Sequence, residues 1–192
     1  FGGTSVGSAE RMHALVSLIS GSDRKIVVLS AMSGTTNTLV EICNALYIKE
    51  HDKANDIINS LEQKYFNEVE KLYGSSEYKT KGNDLIKNHF NYLRSFTLDM
   101  FTINEEKAII AQGELLSTAL FHFHLQEIGI NSALLPALNF MRIDENDEPQ
   151  ISYIEKNLQV ELDKYPSTNL FITQGYICRN AFGEIDNLKR GG

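Results

Sequence analysis

The sequence predicts an α/β fold, a three-layer α/β/α sandwich whose central sheet is mostly parallel. Short apolar runs of strand length alternate with longer segments whose apolar residues recur at helical spacing, and turn residues separate them. A helical insertion is expected over about residues 38–110. The chain has 192 residues, of which 42% are hydrophobic and 22% are charged, so it can form one large domain or part of a larger one.

Three apolar runs predict the strands. The first covers residues 25–31 and contains the sequence Ile26-Val27-Val28-Leu29. Because this run is short and rich in β-branched residues, we expect it to be buried on both faces, as in a parallel sheet. Similar runs at residues 132–138 and 170–178 predict two further strands.

Apolar residues at helical spacing predict the helices. One helix is expected over about residues 8–20, before the first strand. Three stripes then follow in the insertion: Leu39, Ile42, Cys43, Leu46 and Tyr47; Ile58, Leu61, Tyr65, Val69 and Leu72; and Ile86, Phe90, Leu93, Phe96 and Met100.

Two pairs of residues have the spacing of a capping box, in which a Ser or Thr is followed three residues later by Glu. Thr102 and Glu105 predict the start of a long helix that continues toward residue 127. Ser152 and Glu155 predict the start of a shorter one.

Composition excludes several classes of function. The net charge is −7, from 18 basic and 25 acidic residues, which argues against a nucleic-acid surface. No apolar run reaches the roughly 18 residues of a membrane span, and no signal-peptide pattern opens the chain, so we expect a cytoplasmic protein without membrane contacts. Cys43 and Cys178 lie far apart, which predicts free buried thiols and no metal site.

A glycine-bearing turn opens the chain, with the sequence Phe1-Gly2-Gly3-Thr4-Ser5. Gly2 and Gly3 permit positive φ and the close approach of an anion to backbone amides. The hydroxyl groups of Thr4, Ser5 and Ser8 add donors, and the positive N-terminal end of the next helix would point at the same place. We therefore predict a phosphate site, with a plain turn before a helix as the alternative.

Small polar residues follow the first strand, in the sequence Ser30-Ala31-Met32-Ser33-Gly34-Thr35-Thr36-Asn37. Ligands bind open parallel sheets beyond the carboxyl ends of the strands, so this segment is a candidate ligand-binding loop. The alternative is an ordinary strand-to-helix turn in which Thr36 or Asn37 is the N-cap.

Glu114 follows Gly113 inside an otherwise apolar helical stretch. A glutamate in such a stretch often faces solvent. If it is buried, it needs a cationic or hydrogen-bonding partner, which makes it a candidate for function.

Together these motifs resemble the aspartokinases, a branch of the amino acid kinase superfamily. The start of the chain resembles the family's K-F-G-G-T-S signature, and the other motifs follow in the family's order. They are Leu29-Ser30-Ala31-Met32-Ser33-Gly34-Thr35-Thr36-Asn37, Gly113-Glu114-Leu115-Leu116-Ser117, Ile172-Thr173-Gln174-Gly175-Tyr176-Ile177 and Leu188-Lys189-Arg190-Gly191-Gly192.

The resemblance implies a carbamate-kinase-like fold and transfer of the γ-phosphoryl group of ATP to the β-carboxylate of L-aspartate. The product would be 4-phospho-L-aspartate, in the first step of lysine, threonine and methionine biosynthesis. Residues 1–192 would be the N-terminal portion of the catalytic domain, with the nucleotide-binding C-terminal portion and any regulatory modules outside this chain. The parent protein is expected to be a homo-oligomer.

The resemblance also implies roles for individual residues. Phe1, Gly2, Gly3, Thr4 and Ser5 would hold ATP with Mg²⁺, and Gly2, Gly3 and Ser30 would take part in catalysis. Thr36, Glu114 and Arg190 would bind the amino acid, with Arg190 clamping its α-carboxylate and Glu114 pairing with its α-ammonium. The family's signature lysine would immediately precede Phe1, so we expect residues 1–192 alone to have little activity.

Other functions remain open. Another amino acid kinase, acting on glutamate, acetylglutamate, carbamate or a nucleoside monophosphate, would share the glycine turn. A dinucleotide-binding module is disfavoured because the chain has no G-x-G-x-x-G after a strand. A non-catalytic assembly module is the third alternative.

Overall fold

The computed structural model describes residues 1–98 and 100–188. Helices and strands alternate at both ends of this region, and a run of helices lies between them. The first elements are α1 (Ala9–Ile19), β1 (Lys25–Leu29), α2 (Thr35–Tyr47), α3 (His51–Leu72), α4 (Ser76–Ser95) and α5 (Ile103–Glu127). The others are β2 (Ser132–Leu135), α6 (Ala137–Phe140), α7 (Ile151–Asp163), β3 (Leu170–Gln174), β4 (Ile177–Arg179) and β5 (Ile185–Asn187).

The main sheet is parallel, as predicted, with strand order β1-β3-β2. Val27 and Leu134 both pair with Ile172 of the central strand. Phe1 extends the sheet beyond β1, because its backbone nitrogen donates to the Val28 carbonyl at 2.7 Å and its carbonyl accepts from Ser30 at 3.1 Å. The turn after Phe1 therefore lies at the carboxyl end of β1.

The larger core lies between one face of the sheet and the helices α1 to α5. Its largest fully buried side chains include Tyr65, Phe90 and Phe121. The stripe predicted for α3 is confirmed, since Ile58, Leu61, Tyr65, Val69 and Leu72 are all buried. Each fully buried aliphatic side chain contributes about 1.5 to 3 kcal/mol to folding, so this stripe anchors α3 firmly to its neighbouring helices α1, α2 and α4.

The second core covers the other face of the sheet. Leu135 and Phe171 pack there with Phe140 of α6, and partly buried residues of α7 cover them. Helices thus lie on both faces of the sheet, which confirms the α/β class.

The prediction that β1 is buried on both faces is wrong. Ile26 and Val28 are 40% and 46% exposed, whereas Val27 and Leu29 are buried. Ile26 and Val28 line an apolar cavity of about 390 Å³ together with Ile154 of α7. Helix α7 therefore covers β2 and β3 but leaves this side of β1 open.

The two other predicted strands are shorter than expected. Residues 132–138 form a strand only to Leu135, because Pro136 lacks an N–H donor and α6 begins directly after it. Residues 170–178 form two strands, since Tyr176 has φ 65° and turns the chain between them.

Two helix ends also differ from the predictions. Helix α7 begins at Ile151 after Gln150, so Ser152 lies inside the first turn and does not cap it. Helix α4 ends at Ser95, and Met100 is 88% exposed beyond it. By contrast, the capping box of Thr102 and Glu105 is present.

Two further sequence predictions concern the cysteines and membrane-spanning segments. Cys43 and Cys178 are buried and free, as expected. None of the helices in the described ranges combines the length and the apolar character that crossing a membrane requires.

Replacing Thr102 with Ala should lower the free energy of unfolding of the chain by about 1 kcal/mol, because the first turn of α5 loses its cap. Urea denaturation measures this change. Thr80→Ala is the control, since the exposed Thr80 hydroxyl only donates to Ser76 within its own helix, and it should change stability by less than about 0.5 kcal/mol. Equal losses in the two variants would contradict the prediction.

Candidate active site

A cleft of about 700 Å³ opens at the carboxyl end of the parallel sheet. The glycine turn, the loop after β1 and helix α5 all contribute to its wall. Lining residues that the sequence predicted are Gly3, Thr4, Ser30, Thr36 and Glu114. The structure thus brings together three motifs that are far apart in the chain.

The other predicted site residues are Phe1, Gly2, Ser5 and Arg190. Phe1 and Gly2 belong to the same turn as Gly3, beside the cleft. Ser5 lines a separate shallow cavity with Arg11. Arg190 lies outside the described residues.

Close packing, rather than positive φ, explains Gly3 and Gly7, whereas a Cβ on Gly2 would meet nothing within 4 Å. Neither Gly2 nor Gly3 adopts positive φ. A Cβ on Gly3 would lie 3.0 Å from the Ala31 carbonyl, and one on Gly7 would lie 2.7 Å from the Gly3 carbonyl. Glycine therefore lets the turn pack directly on the loop after β1, and the bond from the Ser5 amide to Gly2 (2.8 Å) closes the turn.

The N-terminal end of α1 is already occupied by a carboxylate of the protein. The Ala9 amide donates to Glu68 of α3 at 2.7 Å, and the Ser8 hydroxyl accepts from Arg11. Burial alone would raise the pKa of Glu68, but the Ala9 amide and Lys71 outweigh it and lower the pKa. This end of the helix thus holds α1 against α3, which the sequence analysis did not foresee.

The loop after β1 carries the polar residues expected at a ligand site. Gly34 has φ 79° and is the N-cap of α2, which begins at Thr35. The alternative in which Thr36 or Asn37 caps the helix is therefore wrong. Both residues line the cleft instead.

Glu114 is buried beneath this loop, with only 3% of its surface exposed. Its Oε1 accepts from the Ala31 amide at 3.3 Å, whereas its Oε2 is buried and has no hydrogen-bond partner within residues 1–98 and 100–188. Burial raises the pKa of Glu114 to about 7, and hydrogen bonds from backbone amides offset this only in part. The solvent-facing alternative is wrong, because Glu114 is buried at the wall of the cleft. None of the described residues forms an ion pair with it.

Gly113 makes this arrangement possible. A Cβ at this position would lie 2.8 Å from the Cβ of Ala31, a distance that real Cβ atoms do not reach. Without it, α5 approaches the loop closely enough for Glu114 to contact the Ala31 amide.

A hydrogen-bonded network supports the base of the cleft. The Ser117 hydroxyl donates to the Ser30 carbonyl at 2.8 Å, which fixes the beginning of the loop. The Thr118 hydroxyl donates to the Glu114 carbonyl and accepts from Gln174 at the end of β3, each at 2.7 Å. Helix α5 is thereby joined to the carboxyl ends of both β1 and β3.

Sequence reasoning gave no role to Tyr176, although it lines the cleft. Its φ of 65° lies in a region that costs a non-glycine residue about 1 to 3 kcal/mol, and such residues concentrate at functional sites. Its position directly after a strand, beside Gly175, was the signal that could have identified it.

In the described parts of the chain, no group of three or more His, Cys, Asp and Glu side chains is arranged to hold a metal ion. Glu114 is the one carboxylate among the described residues that line the cleft. These described residues therefore offer hydroxyl groups, the side-chain amide of Asn37, backbone groups and a single buried acid.

The model of the amino acid kinase family matches residues 1–192, so the chain belongs to that family. Lysine-sensitive aspartokinase 3 of Escherichia coli (strain K12) is 28% identical over 196 residues, which cover 100% of this chain and 43% of the relative. The aspartokinase of Chlamydia pneumoniae is 27% identical, over 100% of this chain and 41% of the relative.

Solved structures agree with these relatives. Escherichia coli aspartokinase III in complex with aspartate and ADP has a TM-score of 0.81 and 27% identity, over 100% of this chain and 43% of that one. The resemblance to aspartokinases read from the motifs is thus confirmed along the whole chain. The chain spans less than half the length of these relatives.

The raised pKa of Glu114 predicts a pH dependence of stability. The folded state holds a proton on Glu114 that the unfolded state releases, so the contribution of Glu114 to the free energy of unfolding should fall as pH rises from about 4.5 to about 7. The loss is about 3 kcal/mol above this range. His89, His122 and His124, whose pKa values burial lowers, contribute with the opposite sign, so the effect of Glu114 is the difference between wild type and variant.

Urea denaturation across this pH range measures the effect. Glu114→Gln should remove the decrease that Glu114 contributes, because glutamine does not titrate, so the stability of the variant relative to the wild type should increase as pH rises through this range. Glu127→Gln on the same helix is the control, since the pKa of Glu127 is lowered and its titration lies below this range. A profile for Glu114→Gln with the wild-type slope would show that Glu114 is ionised throughout.

Proposed function

We propose that this chain forms the amino-acid-binding part of an aspartokinase. The parent protein would transfer the γ-phosphoryl group of ATP to the β-carboxylate of L-aspartate and release ADP and 4-phospho-L-aspartate. The observation that carries the proposal is the buried carboxylate of Glu114, whose Oε2 has no partner among the described residues. The similarity to an aspartokinase solved with aspartate and ADP supports it.

The α-ammonium group of L-aspartate would supply the hydrogen-bond partner that the Glu114 Oε2 lacks among the described residues. It carries a positive charge and donor hydrogens, and a cation beside a buried carboxylate favours the ionised form. Binding would therefore bring the pKa of Glu114 down from about 7 and offset the cost of burying its charge. Thr36 lines the same cleft, and Arg190 would clamp the α-carboxylate through two parallel hydrogen bonds.

The glycine turn would hold the phosphate groups of ATP. Gly2 and Gly3 present backbone without side chains, and Thr4 adds a hydroxyl group at the wall of the cleft. Phe1 and Ser5 belong to the same turn, and Ser30 lies opposite it at the end of β1. Gly2, Gly3 and Ser30 would lie closest to the transferred group and take part in catalysis.

The reaction needs positioning more than acid–base chemistry. The β-carboxylate of L-aspartate is already ionised at neutral pH, so no general base is required. One of its oxygens forms a bond to the γ-phosphorus while the bond from that phosphorus to the β–γ bridging oxygen breaks. The protein holds the two reactants in line and compensates the charge of the phosphates.

Magnesium is expected to accompany ATP, but the described residues do not form a site for it. Mg²⁺ prefers six oxygen ligands and is usually held by one or two carboxylates together with substrate phosphates. The lining residues supply a single carboxylate, Glu114, which the proposal assigns to the amino acid. No step is therefore assigned to magnesium through residues of this chain.

The proposal extends to the parent protein. Residues 1–192 would be the N-terminal portion of its catalytic domain, with the helices α2 to α4 as an insertion and the nucleotide-binding half elsewhere. The parent would be a cytoplasmic homo-oligomer with L-aspartate and ATP as its substrates.

Binding of L-aspartate to the full-length parent tests the assignment of Glu114. In calorimetry with a non-hydrolysable ATP analogue, Glu114→Gln should weaken binding about tenfold to a hundredfold, because a charge-assisted bond is lost. Glu127→Gln, on the same helix but bonded to Ser75, is the matched control and should bind like the wild type. Unchanged binding by Glu114→Gln would refute the assignment.

Phosphoryl-transfer assays separate the candidate substrates. The wild-type parent should phosphorylate L-aspartate in preference to glutamate, acetylglutamate, carbamate and nucleoside monophosphates. Preference for one of the others would show that the chain belongs to a different amino acid kinase.

A further inference from the structure

Helix α3 of the insertion contacts the loop after β1 through two consecutive residues. The Lys64 Nζ donates to the Ser33 carbonyl at 2.8 Å. The Tyr65 hydroxyl shares a hydrogen bond of 3.0 Å with the Thr35 hydroxyl. Helix α3 thus holds this loop at two points, in addition to the contacts that α5 makes with Ser30 and Ala31.

The bond between Tyr65 and Thr35 is fully buried. Both residues have 0% exposed surface, and the Tyr65 ring packs near Phe90 with 5.8 Å between ring centroids. Burial raises the pKa of Tyr65 far above its usual value, so the hydroxyl stays protonated. Water does not replace a bond lost in such a place, so each partner depends on the other.

This bond acts on the ligand-binding loop directly. Thr35 is the first residue of α2, and the next residue, Thr36, lines the cleft. Gly34, the N-cap, has no side-chain cap hydrogen bond. The position of the first turn of α2 therefore depends on Tyr65.

Lys64 acts on the same loop from the surface. Its Nζ lies 3.7 Å from the place where a Cβ of Gly34 would be, and Gly34 lines the cleft. The bond to Ser33 holds the carbonyl just before the left-handed residue. It also places a positive charge at the edge of a cleft that would receive anionic substrates.

We propose that Tyr65 and Lys64 are positioning residues for the reaction. They hold residues 33–36 at the distance from Glu114 that the bound amino acid requires. The helical insertion therefore contributes to the geometry of the site. This inference rests on the proposed aspartokinase function. Neither side chain is among the lining residues, so each acts through the loop.

A second buried tyrosine in the insertion provides the control. The Tyr73 hydroxyl donates to the Leu120 carbonyl at 2.8 Å, and Tyr73 is 2% exposed. Its bond is also a buried bond of a tyrosine hydroxyl, although the partner is a backbone carbonyl and not a hydroxyl group. Neither Tyr73 nor Leu120 lines the cleft.

Steady-state kinetics of the full-length parent compare Tyr65→Phe with Tyr73→Phe. Both variants should lose similar amounts of stability in urea denaturation. Tyr65→Phe should also raise KM for L-aspartate about three- to tenfold, the equivalent of one hydrogen bond. Tyr73→Phe should leave KM unchanged, and equal KM values in the two variants would overturn the role of Tyr65.

Lys64 gives a test that does not depend on the buried core, because it is exposed. Lys64→Met should raise KM for L-aspartate about two- to fivefold, and Lys64→Arg should restore it, since arginine keeps the charge and the donor. Lys71→Met is the control on the same helix, because Lys71 pairs with Glu68. Wild-type KM in Lys64→Met would overturn the role of Lys64.

The wild-type measurement separates this inference from the function on which it rests. A wild-type parent that does not phosphorylate L-aspartate would refute the proposed function. An active wild type with wild-type KM in both Tyr65→Phe and Lys64→Met would overturn the positioning inference alone.

Discussion

The close contact between helix α5 and the loop after β1 determines the shape of the candidate site. Gly113 allows it, because any side chain there would collide with Ala31 at 2.8 Å. Since α5 also packs against all three strands of the parallel sheet, its position is set by the core. Packing of the core thus positions Glu114 where it contacts the Ala31 amide and lines the cleft.

The chain has a net charge of −7, so neighbouring groups must compensate the individual charges in and near this site. Glu68 occupies the N-terminal end of α1 and stabilises the packing of that helix on α3. Glu114 is the opposite case, because its burial is compensated only in part and its pKa rises to about 7. In the free site, burial of the Glu114 carboxylate therefore costs free energy, and a bound ammonium group would offset this cost. Such conflicts between function and stability are common in proteins.

Local patterns in the sequence predicted much of this structure, and contacts between distant segments account for what they missed. The α3 stripe and the Thr102 cap depend only on neighbours within the same helix, and both are confirmed. The exposure of Val28 depends on how far α7 extends over the sheet. The bond between Tyr65 and Thr35 joins residues 30 positions apart, and no spacing rule encodes it. The motifs predicted which segments form the site, but not the contacts that hold them.

The central claim is that Glu114 is the counter-ion of the ammonium group of L-aspartate, and proton release on binding tests it most directly. Calorimetry of the full-length parent at pH 6.5, in two buffers of different ionisation enthalpy, counts the protons released. A pKa of about 7 in the free site predicts release of roughly half a proton or more per L-aspartate bound, and none in Glu114→Gln. Equal release by the wild type and Glu114→Gln, or no release by the wild type, would contradict the account.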